Sequence, residues 1–305
     1  MSEADVAEVH LLLDAAERAD GHRPLSDHLW LDLVQGGREG FAGLVALEPG
    51  HDHPVGYAQL TRGHGSWALE LVIHPHHRYD AASIGPELLE AVAEVVASEG
   101  GGHVHWWVFE PTTAHDDLAA RIGLTPGRRL FQMRRPLPVE PTRDPGPRLA
   151  TRAFRVGVDE QAWLEVNNRA FHWHPEQGGW DLDTLLAREK EPWFDPEGFL
   201  MFDDVHADGS THLIGFCWTK RHIDHDPVLG EIYVIAVDPT AHGRGLGRAL
   251  TLAGLAHLAE VGVPVGMLYV DADNTAAVAL YRSLGFEVFR TDRAYVGDMP
   301  PRRPS

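Results

Sequence analysis

The chain is poor in cysteine, in basic residues and in uninterrupted apolar sequence. Cys217 is the single cysteine among 305 residues, so no internal disulfide framework exists. It sits in a strand-like run at 213–219, where a buried structural thiol is expected rather than a nucleophile. Lysine and arginine number 26 against 45 acidic residues, a formal net charge of −19. A nucleic-acid partner is excluded, because phosphates demand a basic footprint. No apolar run reaches the roughly 18 residues a membrane span needs, and the N-terminus has no charged-then-apolar leader. A cytoplasmic monomer with no membrane partner is therefore expected. Absent too are the dinucleotide pattern G-x-G-x-x-G and a Gly-Lys-Ser/Thr phosphate loop.

Histidine is abundant instead, at 20 residues. The pairs His51/His53, His103/His105 and His172/His174 have the spacing of metal ligands. Each lacks a third ligand nearby in sequence, so no metal is expected.

The length suits two domains of about 150 residues each, and 44% apolar content is enough for packed cores. Five prolines fall between 136 and 147, which reads as a semi-extended connection. The expected organisation is a first domain at 1–137, a linker at 138–148 and a second domain at 149–305.

The stretch 231–250 organises the second half. It opens as a buried strand rich in β-branched residues, stops at Asp238-Pro239, and continues as His242-Gly243-Arg244-Gly245-Leu246-Gly247-Arg248. Leu246, Leu250, Ala253, Gly254 and Val261 then share one helical stripe. Strand, glycine turn and helix together make an anion site. The glycines let the backbone approach a ligand closely. The first-turn N–H groups have no internal partners, and the helix dipole with Arg244 and Arg248 adds positive potential. A diphosphate is the natural occupant; a glycine-rich connection without a ligand is the plainer alternative.

A second strand follows at 265–270. Asp273 or Asn274 can cap a helix that carries Ala277, Leu280, Tyr281 and Leu284 and ends at Gly285. The order V-x-P-x-x-H-G-R-G-L-G-R-A-L, then D-N-T-A-A-V-A-L-Y-R-S-L-G-F, resembles the acyl-CoA N-acetyltransferase (GNAT) superfamily. The fold class expected is therefore α/β, an α+β mixed sheet, in two tandem GNAT-like domains. The first half repeats the order in diverged form. Aligning 71–75 with 235–239 sets His77-Arg78-Tyr79-Asp80-Ala81-Ala82-Ser83 against the glycine turn, and Ala119 falls opposite Tyr281. The first domain reads as a degenerate scaffold.

Acetyl transfer from a thioester to an amine needs a base for the ammonium, a donor for the oxyanion and an acid for the departing thiolate. Glu231, entering a buried strand, is the candidate base; a solvated strand-end glutamate is the alternative. Tyr281 stands where superfamily members often carry the acid, and equally suits a packed aromatic. The backbone of Ile235, Ala236 and Val237 is expected to bind the pantetheine arm as an added strand would.

The resemblance narrows further. Phe171-His172-Trp173-His174-Pro175-Glu176-Gln177-Gly178-Gly179-Trp180, Gly215-Phe216-Cys217-Trp218-Thr219-Lys220 and Gln132-Met133-Arg134-Arg135-Pro136-Leu137 are similar to the tandem-domain mycothiol acetyltransferase family. That family acetylates the cysteinyl amine of cysteinyl-glucosaminyl-inositol, using acetyl-CoA as cosubstrate. The resemblance implies direct attack by that amine, with substrate contacts from Asp27, Glu176, Lys220, Glu231 and Tyr269. It implies acetyl-CoA contacts from Val237, from His242 through Arg248, and from Asn274, Thr275, Ala276, Ala277, Val278 and Ala279. Leu71, Val72 and Ile73 would line a second, non-productive CoA site. The family usually places glutamate where Asp27 stands. Physics alone also admits an aminoglycoside or peptide acetyltransferase, or a CoA-binding module without turnover.

Overall fold

The computed structural model describes residues 3–25, 29, 30, 32, 33, 40–48, 50, 51, 53–63, 65–140, 149–172, 178–205, 209 and 211–302. The first half runs α1 (Glu3–Asp20), β1 (Phe41–Ala46), β2 (Gly56–Arg62), β3 (Ser66–Ile73), a 3-10 turn (Pro75–Asp80), α2 (Ala81–Ser98), β4 (Gly102–Phe109), α3 (Thr113–Arg121) and β5 (Thr125–Pro136). The second half runs β6 (Arg152–Ala153), α4 (Glu160–Ala170), α5 (Leu182–Glu189), β7 (Phe199–Val205), β8 (Thr211–His222), β9 (Leu229–Val237), a 3-10 turn (Pro239–Ala241), α6 (Leu246–Glu260), β10 (Val265–Asp271), α7 (Thr275–Ser283) and β11 (Glu287–Met299).

The mixed α/β sheet fold expected from sequence is the one observed. Two compact units form, Met1–Leu130 with Arg290–Ser305, and Phe131–Phe289. They differ from the expected domain spans at two strands. Residues 292–299 of β11 pair antiparallel with β4, from Asp292↔Phe109 to Met299↔Gly102. Residues 131–136 of β5 belong to the unit of the second half. Strand partners far apart in sequence override chain order, which composition does not reveal. Most of the expected linker, 141–148, lies outside the described residues.

In the first unit, β1, β2 and β3 pair antiparallel in sequence order, and β3 pairs parallel with β4. Val9, Leu12 and Leu13 of α1 pack with Tyr57 and Val72. Ile84, Leu88, Leu89, Val92 and Val96 of α2 pack with Leu60, Trp67, Leu69 and Trp106. Each such side chain removed from water contributes about 1.5–3 kcal/mol.

In the second unit β7, β8 and β9 form an antiparallel ladder, and β9 pairs parallel with β10. Leu250, Leu255 and Leu258 of α6 join Cys217, Ile232 and Tyr281 in one core. Trp163, Leu164 and Val166 of α4 join Phe199, Phe216, Trp218 and Val234 in another. Burial pushes the Cys217 thiol up to about 12, as suits an inert core cysteine.

The strand expected near 149–156 shortens to two residues. Arg155 N donates to Asp159 Oδ2 at 2.8 Å, and both Arg152 and Arg155 side chains bond the same carboxylate. Burial opposes the Asp159 charge, but these bonds prevail and hold its pKa at about 2. A carboxylate that captures a backbone N–H ends the ladder there.

Candidate active site

The site is built where β9 and its parallel neighbour β10 part. The β9–β10 register covers Val265↔Leu229 through Leu268↔Ile232, while β9 continues to Val237. From Tyr233 onward the β10-facing backbone edge is released from that ladder. β8 stays paired on the other side to Gly215↔Val237. Ile235, Ala236 and Val237 all lie on this released stretch.

The turn that follows is fixed by Asp238, which is 3% exposed. Its carboxylate accepts from Thr240 N at 3.0 Å, from Thr240 Oγ1 at 2.7 Å and from Arg169 Nε at 2.9 Å. Burial disfavours its charge, yet these bonds hold its pKa below the usual carboxylate range. Gly243 and Gly245 then take φ of +78° and +73°. No heavy atom beyond the chain neighbours lies within 4 Å of a Cβ built at Gly243, so conformation rather than crowding demands glycine there. Gly245 caps α6, and residues 242–245 are exposed. The exposed turn thus leads into the start of α6, where the first-turn N–H groups have no intrahelical partner, with Arg244 and Arg248 beside it.

Arg244 donates to Asp204 Oδ2 at 2.9 Å and Arg248 to Ser283 Oγ at 2.9 Å. The Arg248 bond ties the start of α6 to the end of α7. Asn274 caps α7, accepting from Ala277 N at 3.1 Å. Thr275, Ala276 and Ala277 form the first turn of that helix, followed by Val278 and Ala279. His242 Nε2 lies 3.1 Å from Val237 O.

Glu231 is buried and sits across from Lys220 in the β8–β9 register. Its Oε2 lies 2.7 Å from His222 Nε2. Lys220 Nζ stands over the Trp193 ring at 4.6 Å and the Tyr233 ring at 5.7 Å, a cation–π arrangement. Tyr269, 38% exposed, accepts from Gln132 Nε2 at 2.7 Å. Tyr281 is buried beside Phe286, and burial pushes its phenol up to about 12. At neutral pH the phenol is protonated. Asp27 and Glu176 lie outside the described residues. Leu71, Val72 and Ile73 lie at the end of β3 in the first unit. There the β3–β4 register likewise stops early, at Leu69↔Trp106.

Sequence reasoning missed His222, Trp193 and Gln132. His222 reaches Glu231 through a hairpin whose length follows from register, not from residue type. A cleft of 820 Å³ also opens beside α4, edged by Asn168, Arg169, Trp180 and Pro239; Glu231 and Tyr281 are not in its wall. The expectation that the histidine pairs lack a third candidate ligand is corrected for one of them: His77, distant in sequence, is close to His51 and His53 in space.

Comparison with known proteins now decides the family. Residues 151–286 match the acetyltransferase (GNAT) family. The chain is 44% identical over 293 residues to the mycothiol acetyltransferase of Acidimicrobium ferrooxidans, covering 95% of this chain and 93% of that one. The Thermobispora bispora protein of the same name is 45% identical, with 95% of each chain covered. That of Mycolicibacterium smegmatis is 44% identical over 97% of this chain and 96% of its own. The chain belongs to the mycothiol acetyltransferase family. Its fold is shared more widely than its sequence. A GCN5-related N-acetyltransferase from Sphaerobacter thermophilus superposes with a TM-score of 0.69 at 23% identity, over 100% of this chain and 96% of that one. A tandem GNAT protein of the clavulanic acid biosynthesis pathway gives 0.67 at 18%, over 99% and 97%. The fold of this chain is thus shared with proteins of different sequence, one of them a tandem GNAT protein. Among the described residues no helix is long and apolar enough to cross a membrane.

Proposed function

We propose that the second unit transfers acetyl from acetyl-CoA to the cysteinyl amine of cysteinyl-glucosaminyl-inositol, the last step of mycothiol formation, by direct attack. The observation that carries the reading is the released edge of β9, which runs from Tyr233 to the glycine turn with Glu231 just behind it. An extended pantetheine arm fits such an edge as a further strand. Its amides bond Ile235, Ala236 and Val237, and one β9 N–H becomes the oxyanion donor.

The diphosphate rests on the N–H groups from His242 to Arg248. Arg244 and Arg248 turn from Asp204 and Ser283 to bond it. The first turn of α7, from Asn274 to Ala279, flanks the arm. Glu231 takes the ammonium proton, and His222, in contact with its carboxylate, passes the proton on. The free amine attacks the thioester carbon, and the tetrahedral adduct collapses with loss of thiolate; Tyr281 protonates the thiolate and is restored by the second proton, shed by the acylated nitrogen. Lys220 with Trp193, and Tyr269 held by Gln132, bind sugar and inositol hydroxyls. Asp27 and Glu176 supply further carboxylate contacts. The first unit is a scaffold, and Leu71, Val72 and Ile73 edge a second, non-productive CoA site there.

The test is acetyl-CoA consumption with cysteinyl-glucosaminyl-inositol, an aminoglycoside and a peptide side by side. Turnover is expected with the first alone. Preference for either other amine overturns the acceptor assignment, and CoA binding without turnover on any amine makes the chain a binding module.

A further inference from the structure

The first unit places its histidines at the turn where the second unit has glycines. Glu48 and His51 lie in the connection after β1, where His51 N donates to Glu48 O at 3.1 Å. His53 follows just before β2. Val55 N donates to Ala46 O at 2.9 Å and closes the hairpin below them. His74 N donates to Val55 O at 2.9 Å, which brings the end of β3 to the same place, and His77 N donates to His74 O at 2.8 Å in the 3-10 turn. The two segments are thus pinned together by backbone bonds before any ligand is considered.

The side chains converge. One ligand-capable nitrogen from each of His51, His53 and His77 lies within 4.8 Å of the other two. Glu48 Oε2 is 3.6 Å from His51 Nε2 and 3.6 Å from His77 Nδ1. A tetrahedral zinc ion with bonds of about 2.0–2.1 Å sets its ligand atoms roughly 3.3 Å apart, so the Glu48 contacts need to close only slightly. The rings meet edge to face, at 4.6 Å between His51 and His77 and 5.6 Å between His51 and His53, which leaves ring edges, where the nitrogens are, free to converge.

His77 supplies the independent sign. It is 3% exposed, and its Nδ1 has no hydrogen-bond partner among the described residues. A buried polar atom left unmet is destabilising. A cation bound here would meet the His77 nitrogen and engage the neighbouring imidazoles together.

We infer that Glu48, His51, His53 and His77 form a binding site for a divalent transition-metal cation of the zinc class. Three imidazoles with one carboxylate suit zinc, cobalt or nickel rather than magnesium or calcium, which take oxygen ligands. The closed, four-ligand set is structural in character, and the cation clips the β1–β2 hairpin to the turn after β3.

The experiment uses the full chain without an affinity tag, stripped with chelator and desalted, then titrated with Zn²⁺ and separately with Co²⁺. One equivalent per chain is expected, with the intense visible absorption of four-coordinate Co²⁺ and a rise in unfolding temperature on saturation. His51→Ala, at an exposed ring, should weaken binding by at least about ten-fold while the chain stays folded. His77→Gln tests the buried ligand. His103→Ala and His225→Ala should leave binding unchanged. Absence of stoichiometric binding, equal affinity in His51→Ala, or loss in His225→Ala overturns the site.

Discussion

The turn after β3 and the turn after β9 begin alike and end differently. Each follows a parallel strand pair that stops short, at Leu69↔Trp106 and at Ile232↔Leu268. Each starts with proline in a 3-10 turn. In the second unit Gly243 and Gly245 swing the backbone through positive φ and turn the N–H groups of α6 outward. In the first unit the 3-10 turn at Pro75–Asp80 runs directly into α2, with no glycine at the join and five histidines, His51, His53, His74, His76 and His77, crowded around it. The released strand edge is thus kept in both, and only the anion cradle differs. A splayed sheet alone offers a place for an amide-bearing arm; on the proposed reading it is the glycine turn that makes that place a coenzyme site.

The largest expected effects fall on proton transfer in the second unit. Glu231→Gln should lower turnover by about 10²–10⁴-fold at neutral pH, with partial recovery as pH rises and solvent supplies free amine. Tyr281→Phe should cost a similar factor without that recovery. Because the Tyr281 phenol titrates at about 12, the parent enzyme should lose no activity from its ionisation in ordinary alkaline assays. Superimposable pH–rate profiles for parent and both variants would remove these residues from the chemistry.

A smaller loss, about ten-fold, is expected for His222→Gln, which keeps a polar side chain beside Glu231 but cannot relay its proton. It should appear in kcat rather than KM; a pure KM effect would assign His222 to acceptor binding. Asp159→Asn should lower stability by about 2 kcal/mol and leave kcat unchanged in the folded fraction. Since the native Asp159 pKa is depressed to about 2, its contribution is complete above the usual carboxylate range. It fades as pH falls toward 2, so parent and variant denaturation midpoints should converge in acid. Parallel curves down to that pH would contradict the linkage. Smallest of all, Tyr79→Val in the first-unit turn, at a 77% exposed side chain, should change acetyl-CoA turnover by no more than about two-fold.

Much of the site was legible because its signals are local. The glycine turn, the Asn274 cap and the helix bearing Tyr281 are consecutive residues with turn and cap chemistry. The repeat was legible from Pro75 and Pro239 in matching contexts. What stayed hidden is non-local. The reassignment of 131–137 and 290–305 between units follows from strand pairing. The Glu231–His222 contact depends on a hairpin register that includes a shift between Trp218 and Thr219. His77 joins His51 and His53 across two strands, which no spacing rule reports.

Calorimetry of acetyl-CoA binding to the parent and to Gly245→Val tests the central claim most directly. A valine at φ +73° is strained whatever space surrounds it, and it displaces the N–H groups that hold the diphosphate. Tight binding is predicted for the parent and its loss for the variant, with unfolding of the chain otherwise little changed. Unchanged affinity in a folded Gly245→Val chain would contradict the account, for the diphosphate would then be held somewhere other than this turn.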